Sequence, residues 1–323
     1  MTDTNSSLLS VPLEILVLVR GALLEWFAGH GRDLPWRHTR DPYQIMVSEI
    51  MLQQTQVDRV VPKYRAFLEL FPNLAALAAA PTADVIRAWT GLGYNRRAVN
   101  MQRAARVVLD AYGGQFPREM AELLKLPGIG PYTAGAIACF AFEQDVAFID
   151  TNIRRVVQRL FVGPEESAPV GEARLLAIAR DAVPAGRGWA WNQAIMELGA
   201  LICTAAAPAC WRCPVQPHCR AYAARRAADE QLFSSEATPA PQRLRRVAER
   251  RETSYAGSNR FYRGRAIEAL RQLGPGEALP LPALGRQLKD GFGDDDMPWL
   301  RTLVDGLARD GLLALDNEQA RLP

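Results

Sequence analysis

Apolar residues recur at three- and four-residue intervals through most of the first two-thirds of this chain, and that spacing confines it to helices. "PLEILVLVRGALLEWFAGHG", starting at Pro12, and "YQIMVSEIMLQQTQVDRVVPKYRAFLELF", starting at Tyr43, both carry the pattern. Gly and Pro interrupt it at "FPNL", "APTADV", "GLGYNRR", "GGQFP" and "LPGIGP", which predicts short connections between helices. Hardly any stretch alternates as a half-buried strand does, so the fold class expected is all-α. From Ser234 to Ser258 the composition turns polar, Pro-containing and Arg-rich, the character of a linker. Beyond it, "FYRGRAIEALRQL", "LPALGRQL" and "MPWLRTLVDGLARDGLL" are amphipathic and "ALDNEQARLP" follows. Three helices and a terminal hairpin suit a small winged-helix-like unit.

The 323 residues allow two domains, with room for a small third. Hydrophobic content of 49% with 23% charged residues is ordinary globular composition and argues against disorder along the whole length. The opening "MTDTNSSLLS" lacks the basic and apolar regions of a secretory signal. No apolar run approaches the length that spans a bilayer. The expectation is a soluble intracellular protein, a monomer with no membrane partner. A formal charge of +3 hints only weakly at a polyanionic partner.

Four of the five cysteines fall within one short loop, Cys203, Cys210, Cys213 and Cys219, with six, two and five residues between them. Stable disulfides are rare in intracellular proteins, so the loop reads as a metal-ligand set. Structural zinc usually shows two close pairs far apart, whereas here one close pair has a single cysteine on each side. A compact loop with all four thiolates favours an iron–sulfur cubane, with a zinc ion as the alternative. Cys139, inside "GAIACFAF", reads as a core residue.

Other stretches carry chemistry more ambiguously. In "LPGIGPYTAG", Gly128 and Gly130 let a turn bring backbone amides close to a ligand, and the helix that follows adds an anion-attracting N-terminus. The bland reading is an ordinary connection between helices. Glu49 lies among Ile45, Val47, Ile50, Met51 and Leu52. A carboxylate without hydration favours its protonated form, which a general acid needs. Alternatively, Glu49 sits on the polar side of its helix near Gln53. Asp150 precedes "TNIRRVVQRL" and is a natural N-cap, a role compatible with steadying a developing cation.

Taken in order, "LPWR", "SEIMLQQTQV", "WTGLGYNRRAVN", "LPGIGPYTAGAI", "IDTNIRRV" and "NQAIMELGALIC", followed by the cysteine loop, resemble the MutY-type DNA glycosylases of the helix–hairpin–helix superfamily. The resemblance spans roughly residues 14 to 225. It implies a two-lobed helical glycosylase domain over 1–230. A six-helix lobe would take about 41–148, and the N-terminal helices with 149–230 would form an iron–sulfur lobe. A linker over 231–258 and a winged-helix-like domain over 259–323 complete the expected order. The implied cofactor is a 4Fe–4S cluster on the four cysteines of the loop. The implied partner is double-stranded DNA with a mismatch or an oxidised base, met in the cytoplasm at the nucleoid.

By motif, Glu49 is implied as the acid that protonates adenine. Asp150 is implied as the carboxylate that stabilises the sugar cation, with Asn152 supporting it. Tyr132 stands where bifunctional relatives carry a Schiff-base lysine, which implies a hydrolytic, monofunctional enzyme. Gln54 and Tyr94 match wedge residues, Trp36, Arg37 and Glu197 match the base-pocket lining, and Gly128 and Gly130 the DNA-gripping hairpin. The implied activity is release of adenine mispaired with guanine or 8-oxoguanine. Three departures bear on the opposing base. No NUDIX-like module follows residue 230, Asn95 stands where a second tyrosine is frequent, and Thr151 where glycine is usual. "PWRHTRDPY" and "GPYTAGAI" also resemble thymine-releasing mismatch glycosylases, which makes thymine or uracil opposite guanine the alternative substrate. A non-catalytic iron–sulfur DNA-binding regulator is the reading from outside the enzymes.

Overall fold

The computed structural model describes residues 11–166, 168–234 and 255–323. In chain order the helices are α1 (Leu13–His30), α2 (Pro42–Leu52), α3 (Val57–Leu70), α4 (Leu74–Ala79) and α5 (Thr82–Ala88). They continue as α6 (Arg96–Tyr112), α7 (Met120–Leu123), α8 (Pro131–Phe140), α9 (Thr151–Val157) and α10 (Glu172–Ala182). Next come α11 (Gly188–Leu201), α12 (Arg220–Ser234), α13 (Asn259–Arg271), α14 (Leu281–Leu288) and α15 (Met297–Arg309). The strands among the described residues are β1 (Leu279–Pro280), β2 (Ala314–Asp316) and β3 (Gln319–Arg321). Most of the expected linker, residues 235–254, lies outside the described residues. Among the described residues no helix is long and apolar enough to cross a membrane.

The chain forms two compact units, and it passes between them more than once. The first holds Met1–Ile45, Arg118–Met120 and Gly130–Gln242, and therefore α1, α8 to α12 and the start of α2. Here α11 packs against α1, α8 and α9. Gly199 of α11 permits one close crossing, because a Cβ there would come within 2.7 Å of the Asn152 Cβ on α9. Arg20 of α1 donates to the Asp181 and Ala182 carbonyls at 2.6 and 3.0 Å, satisfying the open C-terminal end of α10.

The second unit holds Met46–Pro117, Ala121–Ile129 and Arg243–Pro323. Within it α6 packs against α4 and α5, and buried Gln102 donates to the Leu77 and Ala80 carbonyls at the end of α4. The periodic stretch from Tyr43 is broken into α2 and α3 at Gln53–Gln56, where no Gly or Pro marks the turn. The C-terminal segment forms α13 to α15 with a three-stranded antiparallel sheet, order β1-β3-β2. Asn317 and Glu318 both have positive φ, as a tight hairpin turn between β2 and β3 requires. This segment thus holds the three helices and terminal hairpin expected of it. It does not close its core alone: Ile86 of α5 and Val99 of α6 lie in one apolar cluster with Ile267, Leu270, Leu303 and Leu307. Arg271 adds hydrogen bonds to the Ile86 carbonyl and Asn95 Oδ1 at 2.9 and 2.7 Å.

Candidate active site

The residues singled out in the sequence divide between the two units. In the second, α2 is buried almost all round, with Met46, Val47, Ser48 and Met51 at 0% exposure. Glu49 is 3% exposed, so the reading that put it on a polar helix face does not hold. Burying a carboxyl in a helix of this kind is costly, and such groups concentrate where chemistry needs them.

Gln54 and Tyr94 occupy separate loops, and both adopt left-handed backbone conformations, φ 55° and 45°. For side chains with a Cβ this strain is on the order of 1–3 kcal/mol each and needs surrounding support. Arg97 supplies it to both loops. One terminal nitrogen donates to the Ile50 and Gln53 carbonyls at 2.6 Å, and the other to Leu92 at 2.9 Å. Burial brings the Arg97 guanidinium down to about 10, opposed by the neighbouring Tyr94. The Tyr94 ring remains exposed.

Gly128 closes the hairpin with φ 78°, and a Cβ there would meet the Asn100 Cβ at 2.7 Å. That position admits glycine alone. Gly130, at the start of the first unit's α8, has ordinary extended angles and nothing within 4 Å of where its Cβ would stand. Its backbone is therefore open to an approaching group, and Pro131 is pre-shaped for the first helical turn. Half-buried Tyr132 meets Phe148 edge-on at 5.4 Å, and Gly135 makes room beneath for the Phe148 side chain.

Asp150 caps α9: its Oδ1 accepts from the Ile153 amide at 2.6 Å, and its Oδ2 from Asn152 Nδ2 at 3.2 Å. Burial raises the Asp150 pKa above the ordinary aspartate value, opposed by these hydrogen bonds and by Arg155. Arg155 in turn binds Asn152 Oδ1 at 2.8 Å and the Gly199 carbonyl at 2.7 Å, which fixes the asparagine. The result is one positioned carboxylate with both oxygens engaged.

Arg37 and Glu197 meet in the first unit, and Trp36, next to Arg37 in sequence, is buried there. Glu197 is 1% exposed and lies between two guanidiniums, Arg32 Nε at 2.8 Å and Arg37 at 2.9 Å. Burial alone would raise its pKa, but the hydrogen bonds from Arg32 and Arg37 prevail and hold it at about 2. Arg37 also donates to Gln193 Oε1 at 2.8 Å and stands over the Phe27 ring at 5.2 Å. Glu197 thus faces its two arginines and holds Arg37 in place beside buried Trp36. Arg32 and Gln193 were not singled out in the sequence, and no local pattern marks them.

The four loop cysteines are each partly buried. Arg155 and Arg159, one turn apart, bracket the loop's start through the Cys203 and Thr204 carbonyls at 2.6 and 2.8 Å. Arg159 also reaches Cys203 Sγ at 3.7 Å. The Cys213 thiol is pushed up to about 12, first by burial and also by the thiols of Cys219, Cys203 and Cys210. The other three thiols thus lie within electrostatic reach of Cys213. Among the described residues, however, no three His, Cys, Asp or Glu side chains draw together tightly enough to hold a single metal ion. Four thiols on one short loop are compatible with an iron–sulfur cluster.

Comparison with known proteins agrees with this architecture. Residues 47–179 match the model of the HhH-GPD superfamily base excision DNA repair proteins. The chain is 42% identical to the adenine DNA glycosylase of Mycolicibacterium smegmatis, over 92% of this chain and 95% of that one. It is 42% identical to the human adenine DNA glycosylase over 67% of this chain and 41% of the human protein. The solved structure of a thermostable thymine-DNA glycosylase superposes with a TM-score of 0.61 at 32% identity, covering 65% of this chain and 98% of that one.

Proposed function

This chain belongs to the adenine DNA glycosylases of the HhH-GPD superfamily and acts as an adenine-releasing DNA N-glycosylase of base excision repair; from that premise we propose which residues perform the reaction and on which pairs. The substrate is duplex DNA with adenine opposite guanine or 8-oxoguanine. Glu49 donates a proton to the flipped adenine, so the base departs with the electron pair of the glycosidic bond. Asp150 stays ionised beside the sugar and stabilises its oxocarbenium character until water adds, while Asn152 keeps the carboxylate aimed. The observation that carries this assignment is the burial of Glu49, 3% exposed on a helix that is apolar around it.

Tyr132 offers no amine, so the product is an intact abasic strand. Trp36 and Arg37 line the base pocket, with Glu197 behind Arg37. Gln54 and Tyr94 wedge into the duplex where the base has left, and the strained backbone at both positions supports that reading. The amides at Gly128 and Gly130 grip a phosphate. Cys203, Cys210, Cys213 and Cys219 would hold a 4Fe–4S cluster, which when bound ties the loop into the DNA-binding surface. Residues 259–323, reached through the 231–258 linker, form a winged-helix-like accessory segment whose core is completed by Ile86 and Val99, and the protein works as a monomer in the cytoplasm at the nucleoid.

Single-turnover base release from duplexes with adenine opposite guanine, 8-oxoguanine, cytosine and thymine tests the substrate assignment. Adenine release fastest opposite 8-oxoguanine or guanine is the expected outcome; equal release from all four duplexes would remove the mismatch assignment. Because the thymine-DNA glycosylase structure is 32% identical over nearly its full length, thymine opposite guanine completes the panel.

A further inference from the structure

A cleft of about 860 Å³ lies wholly within the second unit. One wall carries Gln54, Arg59 and Tyr94, and the other is the start of α13 with Tyr255, Arg260 and Arg263. Five arginines face it, Arg59, Arg96, Arg97, Arg260 and Arg263, against the single carboxylate of Asp310. Arg97 is engaged with backbone carbonyls, and Arg59 donates to the Gly91 carbonyl at 2.7 Å. Asp310 is shared by Arg263 at 2.5 Å and Arg96 at 3.4 Å. The Arg260 guanidinium stands over the Tyr94 ring, 4.3 Å from its centroid, and 5.5 Å from the centroid of the Tyr255 ring. Among the described residues no carboxylate pairs with Arg260.

A guanidinium stacked on an aromatic face keeps its in-plane N–H groups for an oxyanion. As mere glue between the C-terminal segment and α6 this arrangement would be wasteful. The apolar cluster around Ile86 and Val99 and the Arg271 hydrogen bonds already join them. Crowding like charges into one cleft costs stability unless an anion arrives. We propose that this cleft is a DNA-binding site to which the C-terminal unit contributes directly. A backbone phosphate beside the wedge is held by Arg260, with Arg59, Arg96 and Arg263 around it, and a base lies against Tyr94. The placement of the phosphate beside the wedge rests on the assignment of Gln54 and Tyr94 given under the proposed function.

The test uses the full cluster-loaded chain and a fluorescein-labelled duplex with one central adenine–8-oxoguanine pair. Anisotropy titrations over a series of salt concentrations give both affinity and salt slope. Arg260→Ala is expected to bind about tenfold more weakly at 0.1 M salt, with log K against log salt shallower by about one. Arg260→Lys keeps the charge and loses the planar stack, so it should keep the wild-type slope with intermediate affinity. Asp310→Asn releases Arg96 and Arg263 and should bind more tightly with a steeper slope. Arg286→Ala, exposed on α14 and outside the cleft, is the control that should match wild type. Thermal melts report folding throughout. A folded Arg260→Ala with wild-type affinity and slope, or a weaker-binding Asp310→Asn, overturns the proposal. Base release by wild type is scored separately: loss of binding in Arg260→Ala without any adenine release by wild type would sink the glycosylase roles and leave the cleft standing.

Discussion

Replacing Glu197 by Gln removes one charge from the middle of an ion trio while keeping the shape. The structure holds this carboxyl at about 2 instead of the ordinary 4.5, because Arg32 and Arg37 both bond to it in a place that is 1% exposed. At roughly 1.36 kcal/mol for each tenfold change in proton affinity, that difference corresponds to about 3 kcal/mol of folding stability. The sign follows from the lowered value: the contribution is complete above the unfolded pKa of 4.5 and is lost as pH falls toward 2. Arg37, 8% exposed, is left as the under-compensated charge in the variant, and losing one partner of a buried pair typically costs about 3–5 kcal/mol. Urea unfolding followed by tryptophan fluorescence, on wild type and Glu197→Gln side by side, measures the gap directly. We expect about 3 kcal/mol at pH 7.5 and pH 5, shrinking to about half near pH 3. Other acid-labile features are common to both proteins and cancel. A gap under about 1 kcal/mol at pH 7.5, or one that does not change with pH, would refute the electrostatic reasoning.

Three further outcomes are expected. Glu49→Gln should bind mismatched duplex like wild type while single-turnover base release falls by about 10²–10⁴-fold. Asp150→Asn retains a capping side chain and sheds the cost of burying a charge, so its melting temperature should stay level or rise as adenine release collapses; a folded variant that cleaves like wild type would move the site elsewhere. Anaerobically purified protein should contain about four irons per chain and little zinc, and Cys210→Ser should lose most of that iron by elemental analysis.

Local chemistry was legible in the sequence wherever a residue acts on its own neighbours. Asp150 reads as a cap because its partner is three residues away, and the cysteine loop reads as a ligand set because all four thiols lie on one short stretch. The turn of the hairpin was legible because Gly128 and Gly130 mark it, and Gly128 takes a left-handed φ there. The break at Gln53–Gln56 was not, because Gln54 takes its positive φ through support from Arg97, distant in the chain, with no Gly or Pro to mark the turn. Nor could spacing decide whether Glu49 faced water, since α2 is apolar on most sides and only packing fixes its orientation. The Arg32–Glu197–Arg37 trio joins residues about 160 positions apart. Arg260, in a segment read only as one of three amphipathic helices, acquires its meaning from Tyr94 across the cleft.

Ile86 and Val99 share one packed volume with Ile267, Leu270, Leu303 and Leu307, so the two stretches of chain cannot evolve as separate modules. Interiors at crystalline density register a change of a single methylene, and residues in contact depart from additivity by about 0.5–3 kcal/mol. A larger side chain at position 86 is therefore tolerable only with a smaller one on α13 or α15, and the reverse. Among chains with this same C-terminal arrangement, these positions should covary in volume, as the two halves of a single core do, while the intervening residues 235–254 drift independently of them.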